Sequence, residues 1–242
     1  MKLERYDSMM RQGRYSRRLK SALFAAVVML LVAAAVVVLL RGRRPAVSFG
    51  PDREAFPVAG VDLSAHNGDG DFEAMAADGI SFVFLKASEG RSFKDKKFNE
   101  NYWAARRAGL RVGAYHFFRF ESSGEMQAIN MLHSMRGKRF DLPAVIDVEE
   151  WTNPETELTD SVIRRVREMA AYLKERGLEV MVYSNRDGYE KFLDRKFNDC
   201  ALWISSLRGV EPEHKWDFWQ YTHRGRVEGV AGDVDLNLFN GD

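Results

Sequence analysis

Two carboxylates stand two residues apart in Ala144-Val145-Ile146-Asp147-Val148-Glu149, where an apolar run ends. On an extended strand alternate side chains share a face, so Asp147 and Glu149 point the same way. Like charges held close resist joint ionisation, and one of the two keeps its proton to higher pH. A carboxylic acid still protonated near neutral pH can protonate a leaving oxygen, which is what cleavage of a glycosidic bond requires. Alone, Asp-x-Glu is a weak signal, because acids after a buried strand often do no more than solvate a turn. Two further acids, Asp62 in Val61-Asp62-Leu63-Ser64 and Asp235 in Val234-Asp235-Leu236, also fall at the ends of apolar runs. Four acids at one mouth would make a site.

Aromatic residues recur in the same places. Tyr115, Phe117, Trp151, Tyr183, Trp203, Trp219 and Tyr221 offer faces on which sugar rings pack and hydroxyls that orient substituents, although core packing is the commoner role of any one of them. His66, His116, His133, His214 and His223 share no metal-ligand spacing. His116, next to Tyr115, is the one expected near the site, with a satisfied structural histidine as the equal alternative. The single cysteine, Cys200, lies in the apolar stretch Cys200-Ala-Leu-Trp-Ile and reads as a small buried hydrophobe. With one Cys and no CxxC, neither an internal disulfide nor a structural zinc site is expected.

Positioning these residues takes a particular scaffold. Short apolar runs, expected as strands, are Val58–Leu63, Phe82–Lys86, Arg111–Phe117, Ala144–Val148, Glu179–Tyr183, Leu202–Ile204, Phe218–Tyr221 and Val234–Leu236. Helical stretches are expected near Phe72–Asp78, Phe98–Ala108, Gly124–Met135, Asp160–Arg176 and Gly188–Leu193. In the fourth, Val162, Val166, Met169, Ala170 and Leu173 fall at helical spacing, Thr159 or Asp160 can cap the start, and Gly177 follows the end. Strands alternating with helices indicate a parallel sheet of βα units, and eight strands indicate a barrel. Only the first five strands have room for a helix after them. In such a barrel the chemistry sits at the C-terminal strand ends, where the acids and aromatics lie.

The N-terminal part is of another kind. Ala22 to Leu40 is an unbroken apolar run of 19 residues, long enough to cross a bilayer as a helix. Residues 1–44 carry net charge +8, and the remainder carries −7. The excess of Lys and Arg before the run places residues 1–21 in the cytoplasm and the large domain outside, in a periplasm-like space. The run ends in Leu-Leu-Arg-Gly-Arg-Arg, a poor cleavage site, so a retained anchor is expected rather than a signal peptide. Residues 41–57, with Pro45, Pro51 and Pro57, read as a linker to a domain over 58–242. A net-negative domain lacks the basic face that nucleic-acid binding needs.

Taken in order, these segments resemble family 25 glycoside hydrolases, the Chalaropsis-type lysozymes. The matching motifs are Gly60-Val61-Asp62-Leu63-Ser64-Ala65-His66-Asn67-Gly68, Phe84-Leu85-Lys86-Ala87-Ser88-Glu89-Gly90, Gly113-Ala114-Tyr115-His116-Phe117 and Pro143-Ala144-Val145-Ile146-Asp147-Val148-Glu149. Val182-Tyr183-Ser184-Asn185, Leu202-Trp203-Ile204, Phe218-Trp219-Gln220-Tyr221 and Val234-Asp235-Leu236-Asn237 follow. No one motif is decisive, but eight in order over about residues 58–240 are specific. The resemblance implies an irregular (β/α) barrel of eight strands and about five helices, here preceded by one transmembrane helix. It implies N-acetylmuramidase activity on the glycan strands of peptidoglycan, without metal or cofactor, in a chain expected to be a monomer. By the family pattern Glu149 is the general acid and Asp147 assists the substrate N-acetyl group, whose carbonyl oxygen can act as internal nucleophile. Asp62 and Asp235 complete the acidic mouth. Tyr115, Tyr183, His66, Lys86, Glu89, Trp203, Gln220 and Tyr221 are the implied substrate-binding positions. Many members carry Trp-Gln after the opening Ser-His; Ala65-His66-Asn67 is closer to a His-Asn subgroup.

Three other readings compete. A binding module would hold peptidoglycan without cutting it, but a degenerate enzyme tends to lose one of its acids and all four are present. A metal-dependent hydrolase would use the acids as oxygen ligands. A membrane scaffold would use the barrel only as structure.

Overall fold

The computed structural model describes residues 54–207 and 215–241, together with Met29, Pro51 and Gly209. The expected cytoplasmic tail, nearly all of the apolar span and most of the linker lie outside the described residues. Among the described residues no helix is long and apolar enough to cross a membrane.

Among the described residues nine strands form one sheet: β1 (Ala59–Leu63), β2 (Ile80–Glu89), β3 (Phe93–Lys94), β4 (Arg111–Phe117), β5 (Ala144–Asp147), β6 (Val180–Asn185), β7 (Ala201–Ser205), β8 (Phe218–Gly225) and β9 (Val234–Phe239). Their order is β1-β9-β8-β7-β6-β5-β4-β2-β3, and a further β1–β2 pairing closes eight of them into a barrel. The ninth, β3, is a two-residue antiparallel tab on the end of β2, too short to register as an apolar run. The helices are α1 (Phe72–Ala77), α2 (Phe98–Arg107), α3 (Gly124–Met135), α4 (Thr159–Lys174) and α5 (Arg186–Gly188), the last continuing as a π-helical turn over Tyr189–Leu193. This is the expected barrel of eight strands and about five helices.

Two expectations need correction. The sheet is not wholly parallel: β9 runs antiparallel to both β8 and β1. The segment between Gly225 and Val234 is shorter than the dozen or so residues a parallel crossover needs. Asp235 therefore stands near the start of its strand, and the reversal brings it to the same mouth as the other strand ends. In addition, α4 starts at Thr159 with Leu158 in the cap position, and no side chain caps it. Its buried stripe is the one that the spacing predicts: Val162, Val166, Met169, Ala170 and Leu173. Three helix-to-strand turns reuse one device, a glycine with positive φ at Gly79, Gly109 and Gly177, where a side chain would be strained.

Alternation along the strands divides the apolar residues between two layers. Val83, Leu85, Val112, Ile146 and Val182 face outwards and join the helices in the larger core. Phe82, Phe84, Val145, Met181, Tyr183, Trp203 and Phe218 fill the barrel. Phe84 stacks on Trp203 at 4.6 Å between ring centroids. Two strand glycines make room for these rings: a Cβ at Gly60 would lie 2.3 Å from the Phe82 ring, and one at Gly113 would lie 2.3 Å from the Phe84 ring. At the other margin of the domain, Phe56 packs on Trp216 and Trp219 with centroids 5.5 and 6.3 Å away.

Candidate active site

The filled barrel leaves one end open. There inward-facing residues of the strands line a cleft of about 270 Å³: Asp62 from β1, Lys86 from β2, Tyr115 and Phe117 from β4, Asp147 from β5, Tyr183 from β6, Trp203 from β7, Gln220 from β8 and, from the start of antiparallel β9, Asp235. Glu149, two residues beyond the end of β5, lines it too, as do His66, Asn67 and the exposed Trp151. Val148 between the two acids is fully buried on the other side, so the two-residue spacing puts Asp147 and Glu149 in one cleft. Asp62 and Asp235 are direct register partners across β1 and β9. Two larger hollows, of about 500 and 530 Å³, open beside the starts of β5 and β6 and around Cys200. Neither is lined by any of the four acids.

A buried hydrogen-bond chain fixes the floor of the cleft. The Tyr183 hydroxyl donates to Gln220 Oε1 at 2.8 Å, and Gln220 Nε2 donates to Asp62 Oδ2 at 2.8 Å. From the other side Trp203 Nε1 donates to Asn237 Oδ1 at 2.9 Å, and Asn237 Nδ2 donates to the same Asp62 oxygen at 2.8 Å. Two neutral amides thus hold one carboxyl, and each is oriented in turn by an aromatic donor. Burial, and then the charge of Asp235, hold the Asp62 carboxyl well above the usual carboxylate range. Burial pushes the Tyr183 phenol up as well, which keeps it a donor at neutral pH.

The Asp147–Glu149 pair differs within itself. Asp147 is buried, and its Oδ1 is the one buried side-chain N or O among the described residues without a hydrogen-bond partner. Burial, and next the charge of Glu149, raise its pKa well above the ordinary value. Glu149 is more open. Burial raises its pKa, the charge of His223 lowers it, Asp235 raises it, and an Asn185 Nδ2 bond of 3.5 Å to Oε1 lowers it. The pair therefore holds a proton above the ordinary carboxylate range, released in steps that belong to both groups.

The remaining residues named from the sequence fall in three places. His66 stands on a single 3-10 turn, Ala65–Asn67, capped by Ser64, at the rim of the cleft. Lys86 Nζ bonds Glu89 Oε2 at 2.8 Å and lies 5.0 Å from the centre of the Phe117 ring. Glu89 does not line the cleft; it holds Lys86 and lies 3.7 Å from Arg119. Tyr221 packs against the outer core with Trp219, the rings 6.0 Å apart, because it follows the inward Gln220 on the same strand. His116 is fully buried outside the barrel, bonded to Ser88 Oγ at 2.8 Å and Gln127 Oε1 at 3.1 Å, and burial lowers its pKa to about 4. It is a structural histidine. Among the described residues no His, Cys, Asp or Glu group of three or more is arranged to hold a metal ion.

Three polar residues at the site escape sequence reasoning. Asn237 anchors Asp62. Asn153 pins the loop after β5, donating to the Phe118 and Glu149 carbonyls at 2.9 and 2.7 Å and accepting from the Phe120 amide at 2.9 Å. His223 holds Asp235, with Nδ1 3.1 Å from Oδ1. A signal existed for Asn237 alone, since it stands two residues after Asp235 and so shares its face.

Comparison with known proteins gives a consistent picture. Residues 61–230 match the model of glycosyl hydrolases family 25. YegX, an uncharacterized protein of Escherichia coli O6:H1, is 34% identical over 211 residues, covering 83% of this chain and 76% of that protein. Lysozyme M1 of Streptomyces globisporus is 33% identical over 202 residues, covering 76% of this chain and 68% of that protein. The structure of a family 25 glycosyl hydrolase from Bacillus anthracis is similar with a TM-score of 0.72 at 34% identity, over 80% of this chain and 92% of that one.

Proposed function

The chain belongs to glycosyl hydrolases family 25, and on that premise we propose that it is a muramidase cutting the β-1,4 bond between N-acetylmuramic acid and N-acetylglucosamine in peptidoglycan. The observation that carries this reading is the convergence of Asp62, Asp147, Glu149 and Asp235 on one cleft.

Glu149 is the more open member of the pair and holds its proton above the usual range, as an acid that protonates the glycosidic oxygen must. As the bond from the anomeric carbon to that oxygen breaks, the substrate's acetamido carbonyl oxygen bonds to the anomeric carbon. Glu149, now ionised, takes a proton from the water that opens this intermediate and is restored. Asp147, with an unpartnered buried oxygen beside the cleft, is the acceptor for the acetamido N–H, and it turns the carbonyl oxygen towards the anomeric carbon. Tyr115, Tyr183, Lys86 and Trp203 shape the sugar site, and His66 and Asn67 belong to its His-Asn variant. The 19-residue apolar run anchors the chain, with residues 1–21 in the cytoplasm and the hydrolase domain outside.

The test is digestion of purified peptidoglycan by the full chain and by Glu149→Gln, with products read by mass spectrometry. The parent is expected to release fragments with reducing-end muramic acid, and Glu149→Gln to lose at least about a thousandfold in rate with its fold intact. Activity retained in Glu149→Gln would overturn the assignment. Wall binding without release by either protein would leave a binding protein.

A further inference from the structure

Among the described residues Asp235 is held not by side-chain amides, as Asp62 is, but by an imidazole. His223 Nδ1 lies 3.1 Å from Asp235 Oδ1, and its Nε2 lies 3.5 Å from Ser205 Oγ. The order Ser205, His223, Asp235 is that of an acyl-transfer triad, but its serine cannot serve. Ser205 is 4% exposed, and the Ser206 N–H that follows it is bonded to the Gln220 carbonyl, so it has no open approach and no free neighbouring donor for an oxyanion. The histidine itself is half-exposed, and its partner Asp235 lines the cleft.

We propose that His223 is a positioning residue for the hydrolysis: an imidazolium clamped by Asp235, which lines the same cleft as Glu149, so that its positive charge acts on the general acid. His223 touches Asp235 from β9 and the Ser205 hydroxyl from β7, and the charges of Asp235, Asp62 and Glu149 act on it. Lys86 of β2, among the described residues the one Lys or Arg lining the cleft, acts on Asp147 and is paired with Glu89. The charge of His223 does act on Glu149. The Asp235 hydrogen bond raises the His223 pKa, so the ring carries its charge into the range where the acid works. The charge opposes protonation of Glu149 and offsets the burial that favours it. His223 thereby limits the pH to which the acid stays loaded, and in return keeps Glu149 ionised while it draws a proton from water. The inference rests on Glu149 being the general acid.

The experiment is the pH profile of kcat/KM on soluble glycan fragments for the full chain, His223→Gln and His223→Lys, with Glu149→Gln alongside. Removing the cation lets Glu149 hold its proton longer. The alkaline limb of His223→Gln is expected to move up by roughly half a pH unit or more, and that of His223→Lys to return towards the parent. A His223→Gln limb that superimposes on the parent, or equal displacement in both variants, would overturn the proposal while Glu149→Gln stays inactive. Activity in Glu149→Gln would instead remove the premise. NMR titration of the His223 ring needs no turnover. It should titrate above the ordinary histidine value of about 6.5 and fall in Asp235→Asn; a ring at or below that value in the parent would also overturn the proposal.

Discussion

Asp147 illustrates what a buried carboxyl at the cleft costs the fold that carries it. A carboxyl buried beside Glu149 with one oxygen unpartnered is opposed both by desolvation and by like charge. Folding raises its pKa, so the folded chain binds its proton at pH values where the unfolded chain has already released it. Stability from this group is therefore greatest in acid, and is lost as pH rises from the ordinary aspartate value of about 4 towards the raised folded value. Asp147→Asn removes the charge but keeps the shape. It should raise Tm by roughly 3–6 °C at pH 8, with the gain shrinking towards pH 4, while lowering kcat more than tenfold. Scanning calorimetry of parent and variant at several pH values checks this, and a gain independent of pH would contradict it. Asp62 differs because its carboxyl satisfies two buried amide donors. Asp62→Ala strands both and should cost about 2–4 kcal/mol in urea unfolding, whereas Asp62→Asn, which still accepts, should cost much less.

At the scale of elements, the barrel interior depends on glycines as much as on rings. Gly113→Ala would press a methyl group into the Phe84 ring, which itself stacks on Trp203. The expected loss is about 1–3 kcal/mol, partly recovered when Phe84→Leu is added, so the two changes are non-additive. A double-mutant cycle of unfolding free energies decides it. The loops respond differently. Asn153 ties the loop after β5 to the one after β4 by side-chain bonds to backbone groups only, so Asn153→Ala should lower kcat by about tenfold while KM changes little, since the proposed acid Glu149 loses its bearing. The sequence made the strands legible through their apolar runs, and the acids through their place at strand ends. What it hid depends on register. Bulges between Gln220 and Thr222 and between Thr222 and Gly225 break the alternation of β8, carry the strand past Tyr221, and leave His223 beside Asp235. Alternation alone already puts Gln220 and Tyr221 on opposite faces, so only one of them could line the cleft. His116 shows the same limit: position beside Tyr115 says nothing of which face a side chain takes once the next residue is reached.

For the whole molecule the arrangement of charge matters more than its sum of +1. Residues 1–44 carry +8, the rest −7, and the apolar run lies within the basic part. An acidic domain has no electrostatic reason to stay on an anionic lipid surface, so any attachment falls to the first 44 residues. Those offer two mechanisms with opposite responses to salt. A basic tail lying on anionic headgroups is screened once the Debye length falls to about 3 Å, near 1 M salt. The 19-residue apolar run, if it crosses the hydrocarbon as proposed, is indifferent to salt and yields only to detergent. We expect the full chain to sediment with membranes through a wash of about 1 M salt and to leave them in detergent, and a chain lacking residues 1–44 to remain in the supernatant at any ionic strength. If, as proposed, the Lys and Arg excess before the run holds residues 1–21 inside, protease added to cells whose outer layers have been opened should then degrade the hydrolase domain. Release by salt alone would reduce the anchor to a surface contact, and a domain protected from external protease would reverse the orientation and remove it from the wall it is proposed to cut.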